Sequence, residues 1–512
     1  MTPPPSRVVR VTAGSLKRLL DCERRLWLSE HSRTHAAPRS DHDDTLGEKS
    51  KSLEDRLARG AGDGEMVGPV LVSGVSFEQA AAETLRLLRE TRASIRRPVL
   101  LSADGTLSAS PGFILREGDG LVIRDVRLAH RPEKKKEHRV RTSFAGWLAT
   151  QLTGIPVVRL EIVNGLGETV AIAPEPAHEL EALAKRALEL IGDSPEPELL
   201  MSHSHCQHCD HYAHCWDQAE AQHLVEVLPS VTRKRAELLH EAGVKTFDQL
   251  ATLAATQLGE RELREAAPVM LAEARAWATG KPVWLSDPQL PADRTLVWFD
   301  VEADADGERA QVPVYLWGFA VEPSGSTLAD HETPPFEPII AELTRAGDKA
   351  AWARFVARAV QIHEQHPDAL WVHWHNAESM WLDRYIAKYG APQAFIDALR
   401  GGAPQVWGRN RDREAAGPRA TGALIDLHAA FEKSVRLPVR GTSVKLVAPW
   451  MGFAWSNPDA DAEWSTAQLH RAYRTKDPDA RQAILDEVAR YNADDLWAMR
   501  VVWRWVVANR PR

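Results

Sequence analysis

An apolar run, Leu296 to Phe299, ends in Asp300-Val301-Glu302, and near the other end of the last third of the chain stands Tyr491-Asn492-Ala493-Asp494-Asp495. Residues i and i+2 of a strand point to one side, so Asp300 and Glu302 share a face. Residues i and i+4 of a helix stack, so Tyr491 and Asp495 share another. The fold must therefore bring a strand that ends in acids against a late helix carrying a tyrosine and a carboxylate. Carboxylates so gathered hold two divalent ions, one polarising the attacking water and the other stabilising the leaving oxygen of a phosphodiester. Oxygen ligands suit Mg²⁺ or Mn²⁺. A fourth carboxylate is expected between the two motifs. The segment from Leu370 to Glu378, an apolar strand-like run ending in polar residues, supplies Glu378, with Asp383 in reserve.

Any one of these acids alone reads as a solvated loop or helix residue; the ordered set of strand, strand and C-terminal helix is what carries chemistry. That set resembles the DEDD exonucleases of the ribonuclease-H-like fold, most closely the YprB-like branch with Glu in its second motif and Tyr-x-x-x-Asp in its third. The resemblance spans residues 293–512 and includes Asp426-Leu427 and the segment Thr442 to Leu446. It implies Asp300, Glu302, Glu378 and Asp495 as metal ligands, with Tyr491 orienting or deprotonating the water.

The length of 512 residues predicts about three domains. A net charge of −8 gives no global basic field, so nucleic acid would have to be met by local patches. The N-terminus, Met1 to Arg7, does not read as a signal peptide, and no apolar run is long enough to span a membrane, so a cytoplasmic protein is expected.

Only four cysteines occur, and three of them, Cys206, Cys209 and Cys215, form C-x2-C-x5-C. In a reducing compartment such density reads as a metal site, and four thiolates complete either a zinc site or a [4Fe-4S] cluster. Cys22 lies far upstream in Ser15 to Trp27, which reads as one amphipathic helix with a Ser cap. One early and three late cysteines around a nuclease core resemble the iron-sulfur RecB-like nucleases, in which the cluster staples the two ends of the domain. The alternatives are zinc, helped by His203, His205, His208, His211 and His214, or a free buried thiol at Cys22.

That resemblance also implies a PD-(D/E)XK site, and here the chain departs from it. Leu115 stands where the family has a metal-binding aspartate, Arg127 replaces the lysine two residues after Asp125, and Arg141 and Ala145 stand where Gln and Tyr usually sit. Leucine cannot ligate a hard cation, and arginine is a fixed cation. The expectation is a retained nuclease fold that has lost hydrolysis; a different register would use Asp104 or Asp119 with Lys134, Lys135 or Lys136. The basic run Arg131 to Arg141, with Lys134, Lys135 and Lys136, reads as a phosphate track or a solvated loop.

Leu228 to Ala251 resembles a helix-hairpin-helix module, with Ser230 and Thr232 at positions usually held by glycine. Arg233 and Lys234 are its candidate phosphate contacts. Gly280 to Pro291 reads as a linker. Thirteen of the 18 tryptophans follow Pro291. Trp371, Trp374, Trp497 and Trp503 have core patterning; Trp407, Trp450 and Trp455 are candidates for base stacking, Trp450 beside Lys445 foremost.

The expected architecture is α/β multidomain: a restriction-endonuclease-like core with a four-cysteine cluster over residues 1–222, a helical module over 223–285 and a ribonuclease-H-like exonuclease over 293–512. The expected function is 3′-to-5′ exonuclease action on single-stranded or frayed DNA. The rivals are an RNA exonuclease and a catalytically idle iron-sulfur binding subunit of a repair, CRISPR or defence complex, with a helicase as a candidate partner.

Overall fold

The computed structural model describes residues 9–32, 50–58, 66–91, 93–129, 131–202, 206, 209–291, 293–304, 310–329, 332–400 and 423–511. The chain divides into two compact units, Met1–Leu200 with His205–Asp217, and Met201–Ser204 with Gln218–Arg512. The helical module therefore groups with the C-terminal domain. No helix among the described residues is long and apolar enough to cross a membrane.

The first unit is built on a six-stranded sheet, β1 (Met66–Val67), β2 (Ser94–Arg96), β3 (Phe113–Glu117), β4 (Gly120–Val126), β5 (Val157–Val163) and β6 (Thr169–Ile172), in sequential order. β2, β3 and β4 run antiparallel, and β5 lies parallel to β4. A parallel neighbour needs a crossover, which the helix Lys136–Thr153 supplies. Ser15 to Trp27 is two helices rather than one. Thr12 caps Ala13–Asp21 in a capping box with Ser15, and Cys22, in extended backbone, ends that helix and precedes Glu23–His31.

The C-terminal sheet has five strands in the order β9-β8-β7-β10-β11, where β7 is Leu296–Ala303, β8 Val314–Glu322, β9 Phe336–Ile340, β10 Leu370–His373 and β11 Leu424–Asp426. β7 is antiparallel to β8 and parallel to β10. A central strand covered on both faces is apolar throughout, which explains the continuous run Leu296 to Phe299. Val297 and Phe299 enter one core with Trp317, Phe355 and Trp371, while Trp298 enters the other with Met499, Val502 and Trp503 of the helix Pro478–Asn509. The side-chain period of two then sends Asp300 and Glu302 to the face of Trp298, against that helix.

A buried ion pair fixes the helix to the sheet. Glu322, at the end of β8, accepts from Arg500 Nε (2.9 Å) and Nη2 (3.0 Å), from Arg504 Nη2 (3.0 Å) and from Trp298 Nε1 (2.9 Å). The expected linker is not loose either: Val283–Trp284 pairs antiparallel with Val435–Arg436, and Leu290 is buried in the helix-side core.

Candidate metal centre

The parallel pairing of β7 with β10 ends at Trp298 opposite Val372, so Asp300 and Glu302 project past the carboxyl end of β10. Ligands of α/β sheets gather at that end of the strands. Glu378 lies in the first turn of the helix Ala377–Tyr389, just after β10, and Tyr491 and Asp495 come from Pro478–Asn509. One ligand oxygen from each of Asp300, Glu302 and Asp495 falls within 4.8 Å of the others. Glu378 lies close enough for its charge to raise the Asp300 carboxyl. The reserve acid, Asp383, lies further along the same helix and has no place in that trio.

The electrostatics are those of negative charge gathered without matching cations. Burial, then the neighbouring Glu378 and Asp495 carboxylates, hold Asp300 well above the ordinary carboxylate range. Burial, then Asp300 and Asp495, do the same to Glu302. Glu378 is pushed up to about 8, by burial first, with Asp426 and Asp495 adding. Asp495 rises to about 6 through burial, and Lys445 and the Trp455 indole draw it back. A buried acid set that repels itself in this way would be relieved by divalent cations, and the all-oxygen donor set fits Mg²⁺ or Mn²⁺.

Residues between the acids hold them in place. Asn492, fully buried, donates through Nδ2 to Asp300 Oδ2 (2.6 Å) and Glu302 Oε1 (3.2 Å). Its amide fits because Gly318 lies opposite Asp300 in the sheet; a Cβ there would stand 1.7 Å from Asn492 Oδ1. Trp455 Nε1 donates to Asp495 Oδ1 (2.8 Å), and His373 Nδ1 lies 3.2 Å from Glu378 Oε2. The Tyr491 phenol accepts from Lys445 Nζ (2.9 Å). Burial, then the Asp495, Glu302 and Asp300 carboxylates, push that phenol above its ordinary value.

The half-buried Lys445 has its ammonium 4.5 Å from the Tyr491 ring centre. Trp450, also half-buried, packs edge-on to Trp505 at 5.5 Å against the helix-side core. Sequence reasoning quoted Asn492 and Trp455 without giving them these roles, because an amide or an indole donor has no motif of its own.

Residues 297–507 match the RNase_H superfamily. The C-terminal domain is RNase H-like. The RNase H-like fold implies a nuclease acting on phosphodiesters, so nucleic acid is its partner, and the acidic trio at its strand ends is the candidate metal site. The solved structure of SSO0001 is similar to this chain at 12% identity, covering 41% of this chain and 86% of that one, with a TM-score of 0.22. No curated protein matches the chain.

The other expected sites lie partly in the first unit. Asp125, at the end of β4, is buried beneath two arginines: Arg127 bonds its Oδ2, and Arg141 Nε lies 3.3 Å from the same oxygen. Leu115 packs with Leu53, Phe113, Val126 and Val163. The basic run is not a loop: Pro132–Lys134 is a short 3-10 turn, Lys135 caps the crossover helix, and Lys134, Lys135 and Lys136 are exposed. The four cysteines are half-buried and form no disulfide. Burial pushes the Cys215 thiol up to about 11, with Cys209 and Cys22 adding, and raises Cys209 similarly, with Cys206 adding. Among the described residues, no three of the cysteine sulfurs lie within 4.8 Å of one another. His203, His205 and His208, like Trp407, lie outside the described residues; His211 is buried and within hydrogen-bond distance of Ser29 Oγ (3.1 Å).

In the helical module, Thr232 caps Arg233–Glu241, and the backbone N–H and hydroxyl of Ser230 donate to the buried Glu273 (2.9 and 2.5 Å). A carboxylate of the protein thus occupies the amide that a phosphate grip would use. Arg233 pairs with Glu237 at 3.4 Å and Lys234 with Glu262, so both are engaged in surface ion pairs.

Proposed function

We propose that the RNase H-like domain is a two-metal exonuclease that degrades single-stranded or frayed DNA from its 3′ end. The observation that carries this reading is the convergence of Asp300, Glu302 and Asp495 within 4.8 Å at the strand ends, with Glu378 near enough for its charge to act on Asp300. Metal ions held there would activate water and stabilise the leaving oxygen. The chain's own groups do the rest. Asp300 and Glu302, clamped by Asn492, fix one side of the centre; Asp495, held by Trp455, and Glu378, beside His373, fix the other. Tyr491, braced by Lys445, offers a fixed hydroxyl to orient the attacking water. DNA preference and polarity come from the resemblance to DEDD exonucleases.

The first unit is read as a RecB-like core with an idle site. Three antiparallel strands, a crossover helix and a parallel strand support that reading, as does an Asp125 already neutralised by two arginines. Cys22, Cys206, Cys209 and Cys215 are read as ligands of a [4Fe-4S] cluster. What supports the reading is the spacing of one early and three late cysteines, which resembles the iron-sulfur RecB-like nucleases. Anaerobic purification tests this: visible absorbance with matching iron and sulfide is expected, and a colourless protein with stoichiometric zinc would refute it.

The activity test is a time course in Mn²⁺ on single-stranded DNA and RNA of one sequence, labelled at either end, comparing wild type with Asp300→Ala. A ladder shortening from the 3′ end of DNA, absent in the variant, is expected. Faster loss of RNA would make it an RNA exonuclease, and binding with no cleavage of either would leave a scaffold subunit.

A further inference from the structure

We propose, on the reading of Asp300, Glu302 and Asp495 as metal ligands, that the segment from Gly452 to Asp461 is a metal-responsive strap, which closes along the helix Pro478–Asn509 when the acidic centre takes up its metal. The segment lies between the helices Val444–Trp450 and Ala462–Arg474 and runs back along the helix face that carries Tyr491 and Asp495. Trp455 Nε1 donates to Asp495 Oδ1 (2.8 Å). One residue on, the Ser456 backbone N–H donates to Asp494 Oδ2 (2.8 Å), and its hydroxyl bonds the same oxygen. Farther along, the Ala460 carbonyl accepts from Lys445 Nζ, which also donates to the Tyr491 phenol (2.9 Å). The following helix then brings Trp464 edge-on to Tyr491, ring centres 5.8 Å apart.

The segment is built to open and close between fixed ends. It belongs to no helix or strand, and Ser456, Asn457, Pro458 and Asp459 are exposed. At its start Gly452 takes left-handed backbone (φ +92°), with nothing within 4 Å of where a Cβ would stand. At its end Asp461 Oδ1 caps the next helix by accepting from the Trp464 backbone N–H (2.7 Å). The pin on Asp495 couples the strap to an ion. A carboxylate has two oxygens; Trp455 takes one and leaves the other for a metal. Without metal, Asp495 has ligand oxygens of Asp300 and Glu302 within 4.8 Å, and their charges push against it. An ion on the second oxygen removes that repulsion and fixes the plane of the carboxylate, which firms the bond to Trp455 and with it the strap. The coupling is reciprocal: what metal adds to closure, closure adds to metal affinity.

Two measurements on the full chain test this: amide hydrogen exchange read by mass spectrometry with and without Mn²⁺, and Mn²⁺ affinity by calorimetry. In wild type, Mn²⁺ is expected to slow exchange from Trp455 to Ala460 by roughly 2- to 10-fold, while the helix Lys136–Thr153 of the first unit exchanges as before. Ser456→Ala removes one pin and touches no metal ligand. It is expected to speed exchange of the strap and to weaken Mn²⁺ binding by up to the same factor, a response that a loop of purely structural role would not give. Mn²⁺ bound to wild type with strap exchange unchanged or faster would overturn the strap and leave the metal centre standing. So would faster exchange in Ser456→Ala at unaltered Mn²⁺ affinity, since closure and metal would then be uncoupled. If calorimetry finds no Mn²⁺ bound to wild type, the metal centre itself fails and the strap falls with it.

Discussion

Two buried acidic sites sit at strand ends in this protein, and their surroundings are opposite. Asp125 lies under Arg127 and Arg141, two cations on one carboxylate. Asp300, Glu302, Glu378 and Asp495 face one another, with Lys445 the cation that draws Asp495 back. The first arrangement is electrostatically finished and gains nothing from a metal ion. The second is unfinished, each carboxylate raised by its neighbours, and a divalent cation would relieve it. Whether an acid at a strand end is a structural partner or a metal ligand is therefore decided by what stands opposite it.

The comparison breaks most visibly in catalysis. Asp300→Ala is expected to slow Mn²⁺-dependent hydrolysis by on the order of 10³-fold or more, while Asp125→Ala leaves the turnover of a small phosphodiester unchanged; equal losses from the two would erase the distinction. Metal affinity comes next. Asn492→Ala, which releases both Asp300 and Glu302, is expected to weaken Mn²⁺ binding by about 10- to 100-fold in calorimetry, with the same secondary structure by circular dichroism.

Stability offers the reverse contrast. In EDTA, Asp300→Asn removes a repelling charge and is expected to raise the melting temperature, whereas Asp125→Ala leaves two arginines without their acceptor and costs about 1–3 kcal/mol. The pH dependence follows from the same cause. Folded pKa values of about 8 for Glu378 and about 6 for Asp495 stand above those of the unfolded chain, so the folded state holds more protons between the two. Its stability without metal is fully present below the ordinary carboxylate range and is lost as pH rises through these values. Saturating Mn²⁺ should flatten that fall; a metal-free protein more stable at pH 8.5 than at pH 5 would contradict it. The smallest effect belongs to Trp455→Phe, which removes one donor from Asp495 and should weaken metal binding by roughly 2- to 10-fold.

Much of the C-terminal site was legible in the chain. The period-two reading of Leu296 to Glu302 and the i, i+4 reading of Tyr491 and Asp495 carry straight into β7 and the last helix, because local geometry alone fixes which way those side chains point. The roles of Lys445, Trp450 and Trp455 were not legible. Lys445 and Trp450 lie five residues apart on one short helix, yet one reaches Tyr491 and the other packs on Trp505. Only the packing of distant elements separates a core tryptophan from a stacking one. The single helix expected through Cys22 failed for a related reason: its apolar spacing suits a helix, but the chain turns at Cys22, and the cysteine stands where the two helices meet.

By itself, the sequence determined which acids exist, which strand and helix carry them and that they point in pairs, since backbone periodicity requires no knowledge of the rest of the molecule. Tertiary structure alone decided the partners: that Gly318 leaves room for Asn492 between two carboxylates, that two arginines close over Asp125, and that Lys445 braces Tyr491. Charge and hydrogen-bond energies depend on distance and burial, and residues far apart in the chain acquire both only when the sheet and helices bring them together.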